Sequence, residues 1–99
     1  MKVIFTNDNN AEIQLINHKF TKKFIKRDED EVLFRRINTF LINEKIIQKN
    51  IIDLGAWIGD NTIPWAINLP ESIIYAIDPS SRNINFIKNM ASVNKLNNI

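Results

Sequence analysis

Ninety-nine residues with a formal charge of +2 and a pI near 9.0 make a short chain with only a mild basic excess. Without any cysteine, a disulfide scaffold and a cysteine-based zinc site are both excluded. Lys and Arg form no run, no basic-then-apolar leader opens the chain, and no apolar stretch approaches the roughly 20 residues that cross a bilayer. The expectation is therefore a cytoplasmic protein with neither membrane nor nucleic-acid partners.

Met1 to Ile16 predicts an antiparallel hairpin. Lys2–Thr6 and Glu12–Ile16 are rich in β-branched and apolar types, and Asn7-Asp8-Asn9-Asn10 supplies turn chemistry between them. His18, the only histidine, has no acidic or nucleophilic partner in the sequence nearby and reads as a surface residue. Lys22, Lys23, Lys26 and Arg27 precede Asp28-Glu29-Asp30-Glu31. Asp28 with Glu31 forms a capping-box-like pair, so a helix is predicted from about Asp28 to Asn43. Leu33, Ile37, Phe40 and Leu41 share one face of it, which suits a cover for a sheet. Isoleucine, asparagine and lysine are abundant; all three have A/T-rich codons, a bias that speaks of the genome before the fold.

Ile51–Leu54 is apolar on both faces apart from Asp53, which predicts a central parallel strand buried on both sides. Gly55 and Gly59 bound the turn that follows. Pro64 favours a helix start near Thr62 over one at Asp60, and Pro70 closes that helix. Ile73–Ile77 is the second buried strand and again ends at an acid, Asp78. Pro79-Ser80-Ser81 then opens a helix with a serine cap, whose inward residues are Ile84, Ile87, Met90, Ala91 and Val93, to about Lys95. Trp65 reads as core. Two parts result: a hairpin with its covering helix over 1–45, and a parallel α/β unit over 46–99.

A glycine at a strand end lets a ligand approach the backbone, and an acid ending the next strand can accept ribose hydroxyls. The dinucleotide fingerprint fails, because it would need glycine at Trp57 and Asp60; the Gly-Lys-Ser/Thr of a phosphate loop is absent too. What remains is D-x-G-x-x-x-G with an acid on the strand. Asp53 suits an ammonium group and not a pyrophosphate, a combination that matches S-adenosylmethionine, with its amino-acid end and its ribose.

The run Asp53-Leu-Gly-Ala-Trp-Ile-Gly-Asp60, with Ala66 in the next helix, resembles the first motif of class I S-adenosylmethionine-dependent methyltransferases. Together with Tyr75-Ala-Ile-Asp78-Pro-Ser80 and Asn94-Lys-Leu-Asn97-Asn-Ile99, it is similar to the FkbM family over Ile51 to Ile99. The resemblance implies a Rossmann-like methyltransferase fold and O-methyl transfer to a hydroxyl of a sugar or small molecule. It also implies that Asp53, Gly55, Ala56, Trp57 and Gly59 hold the methionine part, and that Asp78 takes the ribose beside Pro79 and Ser80. Trp57 has two readings, a wall of the cofactor pocket or a cover for the end of the sheet.

Such a domain ordinarily has seven strands. The expectation here is an α/β fold truncated after its second parallel strand and helix, with no recognisable catalytic residue and one strand edge open. The alternative to an enzyme is a non-enzymatic interaction or oligomerisation module, completed by a second copy or a partner strand at that edge.

Overall fold

The computed structural model describes residues 3–6, 11–30, 36, 39–40, 43–44 and 49–99. Strands β1 (Val3–Thr6) and β2 (Glu12–Leu15) pair antiparallel, Val3 opposite Leu15 and Thr6 opposite Glu12. The period-two alternation of β2 buries Ile13 and Leu15 and exposes Glu12. The Asn/Asp turn lies outside the described residues.

Helix α1 (Thr21–Asp30) starts earlier than the acidic cluster predicts. The Thr21 hydroxyl donates to the Ile16 carbonyl at 2.7 Å, and the Phe24 N–H donates to the Phe20 carbonyl at 2.9 Å. Lys22, Lys23 and Lys26 thus sit inside the helix on its exposed side, and Asp28 lies in its last turn. Magnitudes explain the outcome. Full burial of a phenylalanine such as Phe24 is worth about 1.5–3 kcal/mol. An exposed acid at a helix N-terminus is worth about 0.3–1 kcal/mol. Packing wins over charge placement. Farther along, Arg36, Thr39, Phe40 and Asn43 are helical, but Phe40 is 57% exposed and does not face inward as its periodicity predicts. Leu33, Ile37 and Leu41 lie outside the described residues.

His18 corrects the sequence reading. It is half-buried; its Nδ1 accepts the Phe20 N–H at 3.0 Å and its ring lies 4.9 Å from both Phe20 and Phe86. With Phe24 these rings form an aromatic cluster between α1 and the last helix.

Strands β3 (Asn50–Leu54) and β4 (Ile73–Ile77) run parallel, with Asp53 opposite Ala76 and Leu54 opposite Ile77. Between them lies helix α2 (Thr62–Asn68), and helix α3 (Ser81–Val93) follows β4. Asn61 is the N-cap of α2, so Pro64 falls in the first turn, where its missing N–H leaves no helical bond unmade. Ser80 caps α3, its hydroxyl accepting the Asn83 N–H at 3.4 Å.

The parallel pair is not buried on both faces. Ile74 on the core side is 1% exposed, but on the other side Ile52 and Leu54 of β3 are 68% and 79% exposed, and Ile73, Tyr75 and Ile77 beside them are about half exposed. An isoleucine-rich strand shows that both faces are apolar; whether a second layer covers them is a long-range property.

A single core joins Ile13 and Leu15, Phe24, Ile58 and Ile63, and Phe86, Ile87 and Met90. Phe86 is fully buried although the inward set read from sequence omits it; Ile84, Ala91 and Val93 of that set are only partly buried. The chain after α3 is anchored by asparagines. The Asn94 side-chain amide acts like a peptide group toward β2: its Oδ1 accepts the Gln14 N–H at 2.7 Å and its Nδ2 donates to the Gln14 carbonyl at 3.0 Å. Lys95, at φ +54, closes α3 with a left-handed turn in which the Leu96 N–H donates to the Ala91 carbonyl. Asn98 is buried and donates to the Ala66, Leu69 and Ser72 carbonyls, while its own carbonyl accepts the Ile74 N–H at 2.7 Å. Among the described residues no helix is long and apolar enough to cross a membrane.

Candidate functional site

The turn after β3 is built from three left-handed residues, Gly55 (φ +72), Trp57 (φ +53) and Gly59 (φ +79). The two glycines serve different ends. A Cβ on Gly55 would meet nothing within 4 Å, so the backbone there borders open space. A Cβ on Gly59 would lie 2.9 Å from Ile87 Cγ1, so Gly59 is required by the packing of α3. Trp57 adopts its conformation at a cost of about 1–2 kcal/mol for an L-residue.

Backbone hydrogen bonds fix the turn to the end of β4. The Gly55 and Ala56 N–H groups both donate to the Ile77 carbonyl, at 2.8 and 3.0 Å. The Trp57 N–H donates to Asp78 Oδ2 at 3.0 Å, and the Gly59 N–H to the Ala56 carbonyl at 2.9 Å. These four amides are satisfied within the chain, and what the turn offers a ligand at Gly55 is room.

Two carboxylates flank this turn. Asp53, half-buried on β3, accepts the Thr62 hydroxyl on Oδ2 at 2.5 Å. Burial pushes its carboxyl above the ordinary 3.8, and the Thr62 hydroxyl pulls partly the other way. Asp78 lies nearer solvent. Its Oδ1 accepts the Ser80 N–H at 2.9 Å and Asn83 Nδ2 at 3.1 Å, while Oδ2 takes the Trp57 N–H. The Ser80 N–H, helped by Asn83 and Trp57 against a penalty from burial, holds Asp78 below 3.8.

A cavity of about 400 Å³ opens beside Asp53, within the size range of small-molecule sites. Of the residues expected at the site, Asp53, Gly55, Ala56 and Trp57 line it; Gly59, Asp78, Pro79 and Ser80 do not. Asp78 joins the group through its bond to Trp57, Ser80 is the helix cap, and Pro79 is exposed. Trp65, read as core, is half-exposed and lines the cavity with Asp60 and Asn61. Thr62 and Asn83 escaped the sequence reading. Asn83 was within reach of it, since it stands three residues after the serine cap, where a side chain meets the residues before the helix. Among the described residues no lysine, arginine or histidine lines the cavity, so that lining suits an ammonium better than a phosphate. Among the described residues no group of three or more His, Cys, Asp or Glu could hold a metal ion.

The chain is similar to the ribosomal RNA small subunit methyltransferase G of Colwellia psychrerythraea, with 34% identity over 74 residues that make up 74% of this chain and 35% of that protein. A stretch of that length in a chain of 99 contains the turn from Asp53 to Gly59 wherever it begins. The aligned part spans about a third of the relative's length. No protein-family model matches, and no solved structure matches significantly. The likeness supports distant homology to a methyltransferase, and the small α/β unit with its two parallel strands is compatible with part of a Rossmann-like fold. It does not reach the FkbM subtype.

Proposed function

We propose that this chain carries the S-adenosylmethionine-binding half of a class I methyltransferase of FkbM-like type, whose complete form methylates a hydroxyl on a sugar or small molecule. One observation carries the reading: the D-L-G-A-W-I-G-D turn is joined by a carboxylate hydrogen bond to the acid that ends the next strand. Bound S-adenosylmethionine supplies an electrophilic methyl group on its sulfonium. The residues of this chain fit the rest of that molecule. Asp53 faces its ammonium, and the space above Gly55 lets the amino-acid end approach the backbone. Oδ2 of Asp78 keeps one lone pair for a ribose hydroxyl, with Pro79 and Ser80 shaping the turn behind it. Gly59 maintains the turn by letting α3 pack closely. No residue is assigned to deprotonate the acceptor. The chain's part is positioning, which methyl transfer mainly requires.

Ribosomal RNA, the substrate for which the relative is named, is the competing acceptor class. Isothermal titration with S-adenosylhomocysteine tests the cofactor reading. We expect binding by the wild type and a loss of about 10- to 100-fold in Asp78→Ala, the worth of a charged hydrogen bond. No heat at millimolar cofactor sinks the reading. Transfer of labelled methyl to small glycans or to ribosomal RNA then separates the acceptors.

A second reading, a non-enzymatic interaction module, is favoured by the exposed Ile52, Leu54, Ile73, Tyr75 and Ile77 on one sheet face. Light scattering addresses it: a stable monomer without cofactor affinity or partner counts against both readings.

A further inference from the structure

The side chain of Asn83 does not bond the backbone of its own helix. Its backbone N–H already meets the Ser80 hydroxyl at 3.4 Å, which caps α3. Its Nδ2 turns instead to Asp78 Oδ1 at 3.1 Å, where the Ser80 N–H also donates at 2.9 Å. A carboxylate oxygen offers about two lone-pair positions. Oδ1 is therefore saturated from within the chain. Oδ2 has one position filled by the Trp57 N–H and one left over.

We infer that Asn83 is a positioning residue that pins Oδ1 of Asp78 and so fixes the direction in which Oδ2 faces the ribose of the cofactor. The inference rests on the S-adenosylmethionine reading, and it adds a residue to it. The turn stays tied to the same carboxylate through Trp57. Without the Asn83 amide, Oδ1 regains a lone pair, the carboxylate can rotate about its Cβ–Cγ bond, and ligand and turn compete for both oxygens. The low titration of Asp78 agrees with this arrangement, since each donor favours the ionised form.

The test uses the whole chain and two substitutions, with circular dichroism to establish folding. In Asn83→Leu, the Asp78 carboxyl followed by carbon-13 NMR should titrate higher than in the wild type, and affinity for S-adenosylhomocysteine should fall about tenfold. Asn83→Asp keeps the shape and loses the donor. Its affinity defect should shrink from about pH 7.5 to about pH 5 as the new carboxyl, set against a like charge, takes up a proton and can donate again. A defect in Asn83→Asp that ignores pH, or an affinity unchanged in Asn83→Leu, overturns the positioning role. An Asp78 titration indifferent to Asn83 overturns it while leaving the cofactor reading intact. A wild type that binds no S-adenosylhomocysteine overturns the cofactor reading and the ribose role together, whatever Asn83 does to the titration.

Discussion

Asp53 and Asp78 look like twins in the sequence, since each stands at the end of an isoleucine-rich strand and the two strands run parallel in register. The fold treats them oppositely. Asp53 is half-buried with the Thr62 hydroxyl on Oδ2, and its carboxyl is pushed up. Asp78 is nearer water with three donors, and its carboxyl is pulled down. The difference comes from chain direction after the acid. Behind Asp53 the turn swings away and spends its amides on Ile77 and Asp78. Behind Asp78 the chain enters a capped helix whose cap residue, Ser80, turns its N–H back to the carboxylate and whose Asn83 turns its side-chain amide there. An acid at a strand end is thus two different chemical objects, depending on where the next few amides point.

The frame that separates the two acids is the place where the contrast breaks most severely. Gly59→Ala puts a methyl 2.9 Å from Ile87 at a left-handed φ. Strain and overpacking together should cost about 3 kcal/mol, a large part of the 5–15 kcal/mol typical of a whole domain. A drop in the urea midpoint would show it. Gly55→Ala meets no atom and should cost only about 1 kcal/mol, yet its methyl occupies the space offered to the ligand. A Gly55 variant as unstable as the Gly59 one would undo the distinction between them.

Smaller changes address the acids themselves. Thr62→Val removes the hydroxyl donor of Asp53 and should destabilise by about 1 kcal/mol, with the Asp53 carboxyl titrating higher still by NMR. The pH dependence has opposite signs at the two sites. Because Asp53 titrates above 3.8 when folded, the stability it contributes is complete below 3.8 and declines as pH rises through its folded value. Asp78 titrates below 3.8, so its contribution is present above 3.8 and fades as pH falls through its lower folded value. Asp53→Asn should therefore raise stability at neutral pH, by about 1 kcal/mol or less because the half-buried site is still partly screened by solvent, and flatten the decline. Asp78→Asn should lower it. Urea melts at several pH values that gave both variants the same sign would erase the comparison.

Much of this arrangement was legible in the sequence where the signal is local. The hairpin strands, the Asp53–Gly59 turn, the shift of the α2 start by Pro64 and the serine cap of α3 follow from neighbours within a few residues. Long-range packing explains the misses. The lysines and acids of 22–31 predicted a helix start that the burial of Phe24 overrides. Phe86 is buried because His18, Phe20 and Phe24 arrive from the other end of the chain. The asparagines taught most. Their abundance reads as codon bias, yet Asn83, Asn94 and Asn98 each direct a side-chain amide at a specific acceptor.

The bond pair between Gln14 and Asn94 spans 80 residues and ties β2 to the end of the last helix. During synthesis at about 5–20 residues per second, the hairpin would leave the ribosome roughly 4–16 s before that partner. For nearly all of that interval Ile13 and Leu15 lack the Phe86, Ile87 and Met90 side of their core, and a two-stranded hairpin alone is marginal in water. Completion of this fold therefore waits until Asn94 has emerged, and until then the hairpin is the segment most in need of a chaperone's shelter.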